Sequence, residues 1–281
     1  MRTAIIEYTF GSARYDLSAR THIMGVLNVT PDSFSDGGRF VQEEAAVARG
    51  LSMVDEGADF IDVGGESTRP GSEPVPLDVE LERVIPVIQR LAKATRTPIS
   101  IDSYKPQVAE RALDAGAVIV NDISGLHFCP ELAGIAASRG ASMVLMHTKG
   151  PPKTMQENPV YEDLIEEICT YLQEGIETAK KAGVQQILVD PGIGFGKTIE
   201  HNLTILKKLG EFQRFGYPVL SGPSRKSFIG KILNLPVDER MEGTAAAVAA
   251  SIMNGASVVR VHDVREMKRV AAVVDAIVRG N

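Results

Sequence analysis

The 281-residue sequence predicts a (β/α)8 TIM barrel with a short N-terminal β-hairpin, and two observations carry that reading. Eight short apolar runs alternate with stretches of helical periodicity, the pattern of parallel strands joined by helices. Each run also ends in or beside a residue able to do chemistry: Asn28, Asp62, Asp102, Asn121 with Asp122, His147, Asp190, Ser221, then Arg260 with His262. A barrel gathers the C-terminal ends of its strands into one mouth, whereas a doubly wound sheet would use fewer strands and a glycine-rich first turn. Turn chemistry alone does not give this joint pattern, because helix caps usually lie further into the loop.

Residues 1 to 20 fall outside the alternation and read as a hairpin turning at Gly11-Ser12 and closing the barrel bottom. Strands are expected at His22 to Leu27, Phe60 to Val63, Pro98 to Ile101, Val118 to Val120, Ser142 to Met146, Gln186 to Val189, Pro218 to Leu220 and Val258 to Val261. A helical pattern begins at Gln42. Residues 77 to 94 carry the stripe Leu81, Val84, Ile85, Ile88 and Leu91, but Pro86 removes a backbone donor in its middle, so a kinked helix is expected. Leu164, Ile168, Leu172 and Ile176 recur every four residues, and Met267, Val270, Ala271, Val274 and Ile277 form a similar stripe. Both should pack on the sheet. One barrel consumes residues 1 to 281, so a single domain and a stand-alone enzyme are expected.

Composition narrows the function classes. A chain 44% hydrophobic and 23% charged is globular in character, and its formal charge of −6, with no basic stripe, argues against a nucleic-acid partner. The N-terminal MRTAIIEYTF lacks a charged-then-apolar leader, and no segment has the apolar length to span a bilayer, so a cytoplasmic protein without a membrane partner is expected. Cys129 and Cys169 match no zinc or redox spacing and read as reduced small hydrophobes.

The eleven residues Asn28 to Gly38, NVTPDSFSDGG, follow the first apolar run and crowd polar atoms into a fixed order. Pro31 stiffens the exit and Gly37-Gly38 gives the backbone freedom to hinge, as in a loop that closes over a ligand. Arg260 and His262 are two apart on a strand, so both side chains leave one face and can hold one anion together in a solvated mouth. Their removal should leave the fold intact. GIGFGKT, residues 192 to 198, looks like a phosphate loop, but the first glycine of that motif would fall at Pro191. The five histidines form no zinc pattern. A hard cation sharing substrate phosphate stays open, because magnesium often takes only one or two protein oxygens, and Asn28 would suit it.

NVTPDSFSDGG (28 to 38), DVGGESTRPG (62 to 71), SIDSYKP (100 to 106), NDISG (121 to 125), LMHTKGPPKTMQENPVY (145 to 161), DPGIGFGK (190 to 197), SRKSFIG (224 to 230) and RVHDV (260 to 264) occur in order along the whole chain. Together they resemble the dihydropteroate synthase family. The resemblance implies a (β/α)8 barrel that joins 6-hydroxymethyl-7,8-dihydropterin diphosphate to p-aminobenzoate, releasing diphosphate in folate synthesis. It also implies magnesium, sulfonamide inhibition and a homodimer. The family pattern assigns Asn28 to magnesium and the diphosphate, and Arg260 with His262 to the diphosphate oxygens. Asp102, Asn121, Asp190 and Lys226 would hold the pterin edge, Met146 and Phe195 would line the ring slot, and Gly222 would let the backbone approach. Thr68, Pro70, Phe34 and Ser227 match positions that shape the p-aminobenzoate pocket.

That residue set suits dissociative substitution at the pterin methylene, with magnesium, Arg260 and His262 on the leaving group, Asp102 beside the cationic carbon and no protein nucleophile. A carboxylate such as Asp190 can accept two parallel bonds from the guanidine-like pterin edge, and Asn121 supplies both donor and acceptor. Loops Thr30 to Arg39 and Gly65 to Pro74 have little to pack on and are expected to order only once the pterin diphosphate has bound. Two small departures from the pattern, Ser103 and Pro223, remove no expected ligand. Two alternatives are a methyltetrahydrofolate methyltransferase-like barrel, which would not need the SRK loop or a diphosphate clamp, and a catalytically inactive pterin-binding regulatory protein.

Overall fold

The computed structural model describes residues 6–30, 39–69 and 71–280. The expected hairpin pairs β1 (Glu7–Phe10) with β2 (Ala13–Asp16), and Gly11 turns it at a φ of 60° that favours glycine. Eight parallel strands follow: β3 (His22–Asn28), β4 (Phe60–Gly64), β5 (Ile99–Asp102), β6 (Ile119–Asp122), β7 (Ser142–Met146), β8 (Ile187–Asp190), β9 (Leu220–Ser221) and β10 (Val258–Val261). β3 to β8 pair in chain order, β10 lies between β3 and β9, and a bridge from Val189 to Val219 brings β8 and β9 together. Every expected strand starts and ends within two residues of its observed position.

Around the strands lie α1 (Arg39–Asp55), α2 (Leu77–Ala94), α3 (Pro106–Asp114), α4 (Leu132–Ser138), α5 (Leu164–Ala182), α6 (Ile199–Lys207), α7 (Ser227–Leu233), α8 (Met241–Met253) and α9 (Val264–Arg279). α7 is an extra short helix between β9 and the α8 crossover, at the barrel position where phosphate sites are often built. α2 continues as one helix through Pro86, burying Val84, Val87, Ile88 and Leu91. On α9 the expected stripe holds for Met267, Ala271 and Val274, while Ile277 is 69% exposed. At 100° per residue, Ile277 falls about 80° off the line through Met267, beyond reach of the sheet.

Strand alternation sorts the side chains. Ile23, Leu27, Ile61, Val63, Ile101, Val120, Leu145, Val189, Val259 and Val261 point outward into the core shared with the helices. Met24, Phe60, Ile119, Val144, Leu188, Leu220 and Val258 form a separate apolar layer with Tyr8, Phe10 and Leu17. The hairpin therefore plugs the N-terminal end of the barrel, with Phe10 edge-on to Phe60 at 4.9 Å between centroids and the Tyr8 hydroxyl donating to the Ile187 carbonyl at 2.7 Å. Each buried aromatic contributes on the order of 2 kcal/mol of apolar transfer, sealing this end. Polar residues of the same inward parity stand above that layer: Asp62, Ser100, Asp102, Asn121, Asp190 and Arg260.

Among the described residues no helix is long and apolar enough to cross a membrane. Both cysteines are free, and burial raises both thiol pKa values, Cys169 to about 11, so neither is poised as a nucleophile.

Candidate active site

Register builds the site. Asn28 lies beside Gly64, Gly64 beside Asp102 and Asp102 beside Asn121, so β3 to β6 bring these positions to one level at their C-terminal ends. Met146 and Asp190 are likewise neighbours on β7 and β8. A pocket opens above them, lined by Thr68, Asp102, Asn121, Ile123, Met146, Asp190, Ile193, Phe195, Gly222, Lys226 and Arg260. Gly222 has a specific meaning here: a Cβ would meet only the Arg260 Cβ, at 3.8 Å, so the protein tolerates one there. The missing side chain leaves room in the pocket for a ligand.

The floor is a charged network. Arg260 donates from Nε to Asp62 Oδ2 and from a terminal nitrogen to Asp102 Oδ2, both at 2.6 Å, while Asn121 Nδ2 donates to the same Asp62 oxygen at 2.9 Å. Asp62 and Asp102 each keep one buried oxygen with no partner among the described residues. Burial pushes the Asp102 carboxyl up, to about 7, with Arg260 opposing and Asp62 reinforcing the shift. Burial also raises Asp190 to about 6, against the backbone N–H of Gly192, which donates to its Oδ1 at 2.7 Å. Lys226, just before α7, is lowered to about 8 by burial and by Arg260, and its ammonium sits 4.1 Å from the Phe195 ring centroid.

Met146 and Phe195 belong to a small apolar cluster with Ile123 and Met155, apart from the main core. They are walls of the pocket and not ordinary core residues. The charged floor, a carboxylate at one side and an apolar slot together suit a flat heterocycle bearing an N–H edge, with cationic groups left for an anion.

Several strand-end residues serve the fold. Asp122 accepts from Ser124 N and Oγ and from Leu126 N, folding the NDISG turn that leaves Asn121 and Ile123 facing the pocket. Ser221 exchanges a hydrogen bond with Ser251 on α8, the outward parity relative to Gly222. His147 turns away to meet Lys197.

The expectation that Arg260 and His262 stand free in a solvated mouth is corrected. The Arg260 side chain is 18% exposed and tied to two buried carboxylates. His262 lies just beyond β10, outside the pocket lining, with Nδ1 3.0 Å from Ser224 Oγ. Burial and Arg260 lower its pKa to about 3, so the ring is neutral at pH 7. Ser227 is exposed in the first turn of α7 and does not line the pocket. Phe34 and Pro70 lie outside the described residues. The rest of the second loop is better anchored than expected: Glu66 accepts from Val75 N, Tyr104 Oη and Lys105 Nζ, and Arg83 donates to the Gly65 carbonyl. Sequence reasoning placed Asp62 at a strand end without its partners Arg260 and Asn121, and it missed Ile123, Ile193 and Ser224 as parts of this neighbourhood. Parity with Asn121 was a usable signal for Ile123; nothing local marked the others.

Residues 24–262 match the profile of a family described as pterin binding enzyme. A dihydropteroate synthase of a Synechocystis species is 50% identical over 272 residues, 96% of this chain and 94% of its own. A Clostridium difficile dihydropteroate synthase solved in the presence of pteroic acid is 46% identical, with a TM-score of 0.88 over 92% of this chain and 97% of its own. A Yersinia pestis dihydropteroate synthase in a sulfonamide drug complex is 41% identical, with a TM-score of 0.91 over 98% of this chain and all of its own.

Proposed function

Because the chain belongs to the dihydropteroate synthase family of pterin-binding enzymes, it is a transferase of folate biosynthesis, and we propose how its own residues perform that condensation. The observation that carries the proposal is the convergence of Asp102, Asn121, Asp190, Lys226 and Arg260 on one pocket walled by Met146 and Phe195. Asp190 accepts the N–H edge of 6-hydroxymethyl-7,8-dihydropterin diphosphate, Asn121 and Lys226 complete the polar edge, and the apolar walls clasp the ring. Arg260, with His262 beside it, takes the diphosphate oxygens.

The bond between the methylene carbon and the diphosphate oxygen breaks with its electron pair on the leaving group. The electron-rich pterin carries the resulting cation, and Asp102 stabilises it electrostatically. The neutral amine of p-aminobenzoate attacks, a carbon–nitrogen bond forms, and one proton is released. No side chain need act as nucleophile, and among the described residues no serine or cysteine lines the pocket.

Magnesium fits as an ion held chiefly by the diphosphate. No group of three or more His, Cys, Asp or Glu side chains is placed to hold a metal among the described residues, and Asn28, half-buried at the end of β3, offers one hard amide oxygen. When bound, such an ion neutralises charge on the leaving group. Thr68 lines the pocket from the second loop and is assigned with Ser227, Phe34 and Pro70 to p-aminobenzoate. A homodimer is part of the same proposal, as the family resemblance implies.

Diphosphate release in a coupled assay should require both substrates and fall without magnesium, and sulfonamide inhibition should be relieved by p-aminobenzoate. Calorimetric titration should show p-aminobenzoate binding only after pterin, magnesium and diphosphate are present. Release that proceeds without p-aminobenzoate, or no release at all, would sink the assignment; the latter is the outcome for an inactive pterin-binding protein.

Affinity for a pterin lacking the diphosphate should depend on pH through Asp190. The ionised carboxylate is the acceptor, so with its pKa raised to about 6, affinity levels off about one unit above that value and falls as pH drops through and below it. The slope approaches about tenfold per pH unit. A flat profile between pH 5 and 7 in calorimetry would remove Asp190 from the pterin edge.

A further inference from the structure

Lys197 closes the glycine-rich run 190–197 and is only 4% exposed, yet neither group it bonds is a carboxylate. Its side-chain nitrogen, whose pKa burial holds well below the ordinary lysine range, lies 2.8 Å from His147 Nδ1 and donates to the Phe195 carbonyl at 2.8 Å. Taking an amine out of water is costly, so a buried lysine spent on one ring nitrogen and one carbonyl calls for a reason. Those two partners supply it. His147 follows Met146 at the end of β7, and Phe195 sits in the loop after β8; Met146 and Phe195 are the two walls of the apolar slot. Both walls thus hang from one nitrogen.

The loop is already pressed against β7. A Cβ at Gly192 would lie 1.9 Å from the His147 carbonyl oxygen, so this backbone approach is open only to glycine, which also takes a φ of 71°. Gln156 and Tyr161 hold the outer side of the loop through the carbonyls of Gly194 and Gly196. Gly192 N and Gly194 N donate to Asp190 Oδ1 and Asn202 Oδ1, and Lys197 adds the side-chain tie between the carbonyl of the wall residue and the strand end. Burial and neighbouring Lys197 keep the His147 ring neutral, and with its one proton on Nε2 the ring accepts from Lys197 at Nδ1.

We propose that Lys197 is a positioning residue that fixes the width of the pterin slot by clamping the Phe195 backbone to His147. This rests on the assignment of that slot to the pterin ring. The clamp touches neither substrate, so its loss should be read in one substrate and not the other.

Lys197→Met keeps the stem and removes the donors. Its KM for the pterin diphosphate, and its calorimetric Kd for the same compound, should rise about tenfold, while KM for p-aminobenzoate at saturating pterin stays within about threefold. His147→Leu should reproduce that split. His147→Asn, whose Oδ1 stands where Nδ1 did, should recover most of the lost affinity, which a merely structural role would not require. The two His147 variants decide the matter even if Lys197→Met does not accumulate as folded protein. Wild-type protein that fails to bind the pterin diphosphate overturns the slot assignment. Wild type that binds, with Lys197→Met binding equally well, overturns the clamp alone. Proportional loss of both substrates, or His147→Asn as impaired as His147→Leu, also overturns it.

Discussion

Arg260→Ala loses stability as well as substrate affinity. The guanidinium neutralises two carboxylates at 2.6 Å, one of them, Asp62, fully buried. Removing one partner of a buried ion pair costs about 3–5 kcal/mol, because the remaining charge stays out of water. That is a large fraction of the roughly 5–15 kcal/mol that holds a domain together. The lost contact to diphosphate adds about 1.5–3 kcal/mol in binding, measured separately by calorimetry on folded protein.

The stability loss has a pH signature whose sign follows from Asp102. Its folded pKa is already raised to about 7, above the unfolded value near 3.8, so the folded state binds more protons and this group opposes folding as pH rises through that window. Without Arg260 the carboxyl is pushed further up, and the penalty at pH 7 grows. Lowering the pH towards 5 protonates Asp102 and relieves part of it, so the gap between wild type and variant narrows. Urea unfolding at pH 7 and pH 5 measures both gaps. Equal unfolding midpoints for variant and wild type at pH 7 would show that the ion pairs contribute nothing.

Asp190→Asn is expected to leave the fold intact and remove pterin binding. The amide oxygen can keep the bond from Gly192 N that Asp190 Oδ1 now accepts, so the turn after β8 survives. The other position becomes an N–H2 group facing a substrate edge that also donates. Two charge-assisted bonds of about 1.5–3 kcal/mol each are weakened or reversed, a loss of about a hundredfold or more in affinity. Calorimetry with a pterin lacking diphosphate isolates the effect, and circular dichroism checks the fold. Pterin affinity within a few-fold of wild type would mean that Asp190 faces some other group. The contrast with Arg260 is physical: Asp190 lines the pocket and its backbone partner is neutral, whereas Arg260 carries the charge balance of the barrel floor.

The barrel and the convergence of Asp102, Asn121, Met146, Asp190, Phe195, Lys226 and Arg260 on one pocket were legible because strand periodicity and family motifs are local properties of the chain. Alternation along β10 set Arg260 inward between Val259 and Val261, and the same parity put Asp102, Asn121 and Asp190 on the inner face of their strands. The hairpin was legible as an exception to the alternation, and its aromatic residues proved to be the plug. What the residues touch was not legible. Whether Arg260 waits in solvent or binds Asp62 and Asp102 depends on β4, β5 and β10 meeting across the barrel, residues separated by 198 and 158 positions. His147 and Ser221 looked like chemical groups at strand ends, but each points away, to Lys197 and to α8, because neighbouring strand positions face opposite sides.

Sequence by itself determined the element order, the barrel, the family and most of the polar residues of the pocket, since each is written in spacing and motif. Only the tertiary structure decided their electrostatic state. Burial and cross-barrel pairing raise Asp102 and Asp190, lower Lys226 and His262, and fasten Arg260, and these shifts depend on distances between strands that no local spacing encodes.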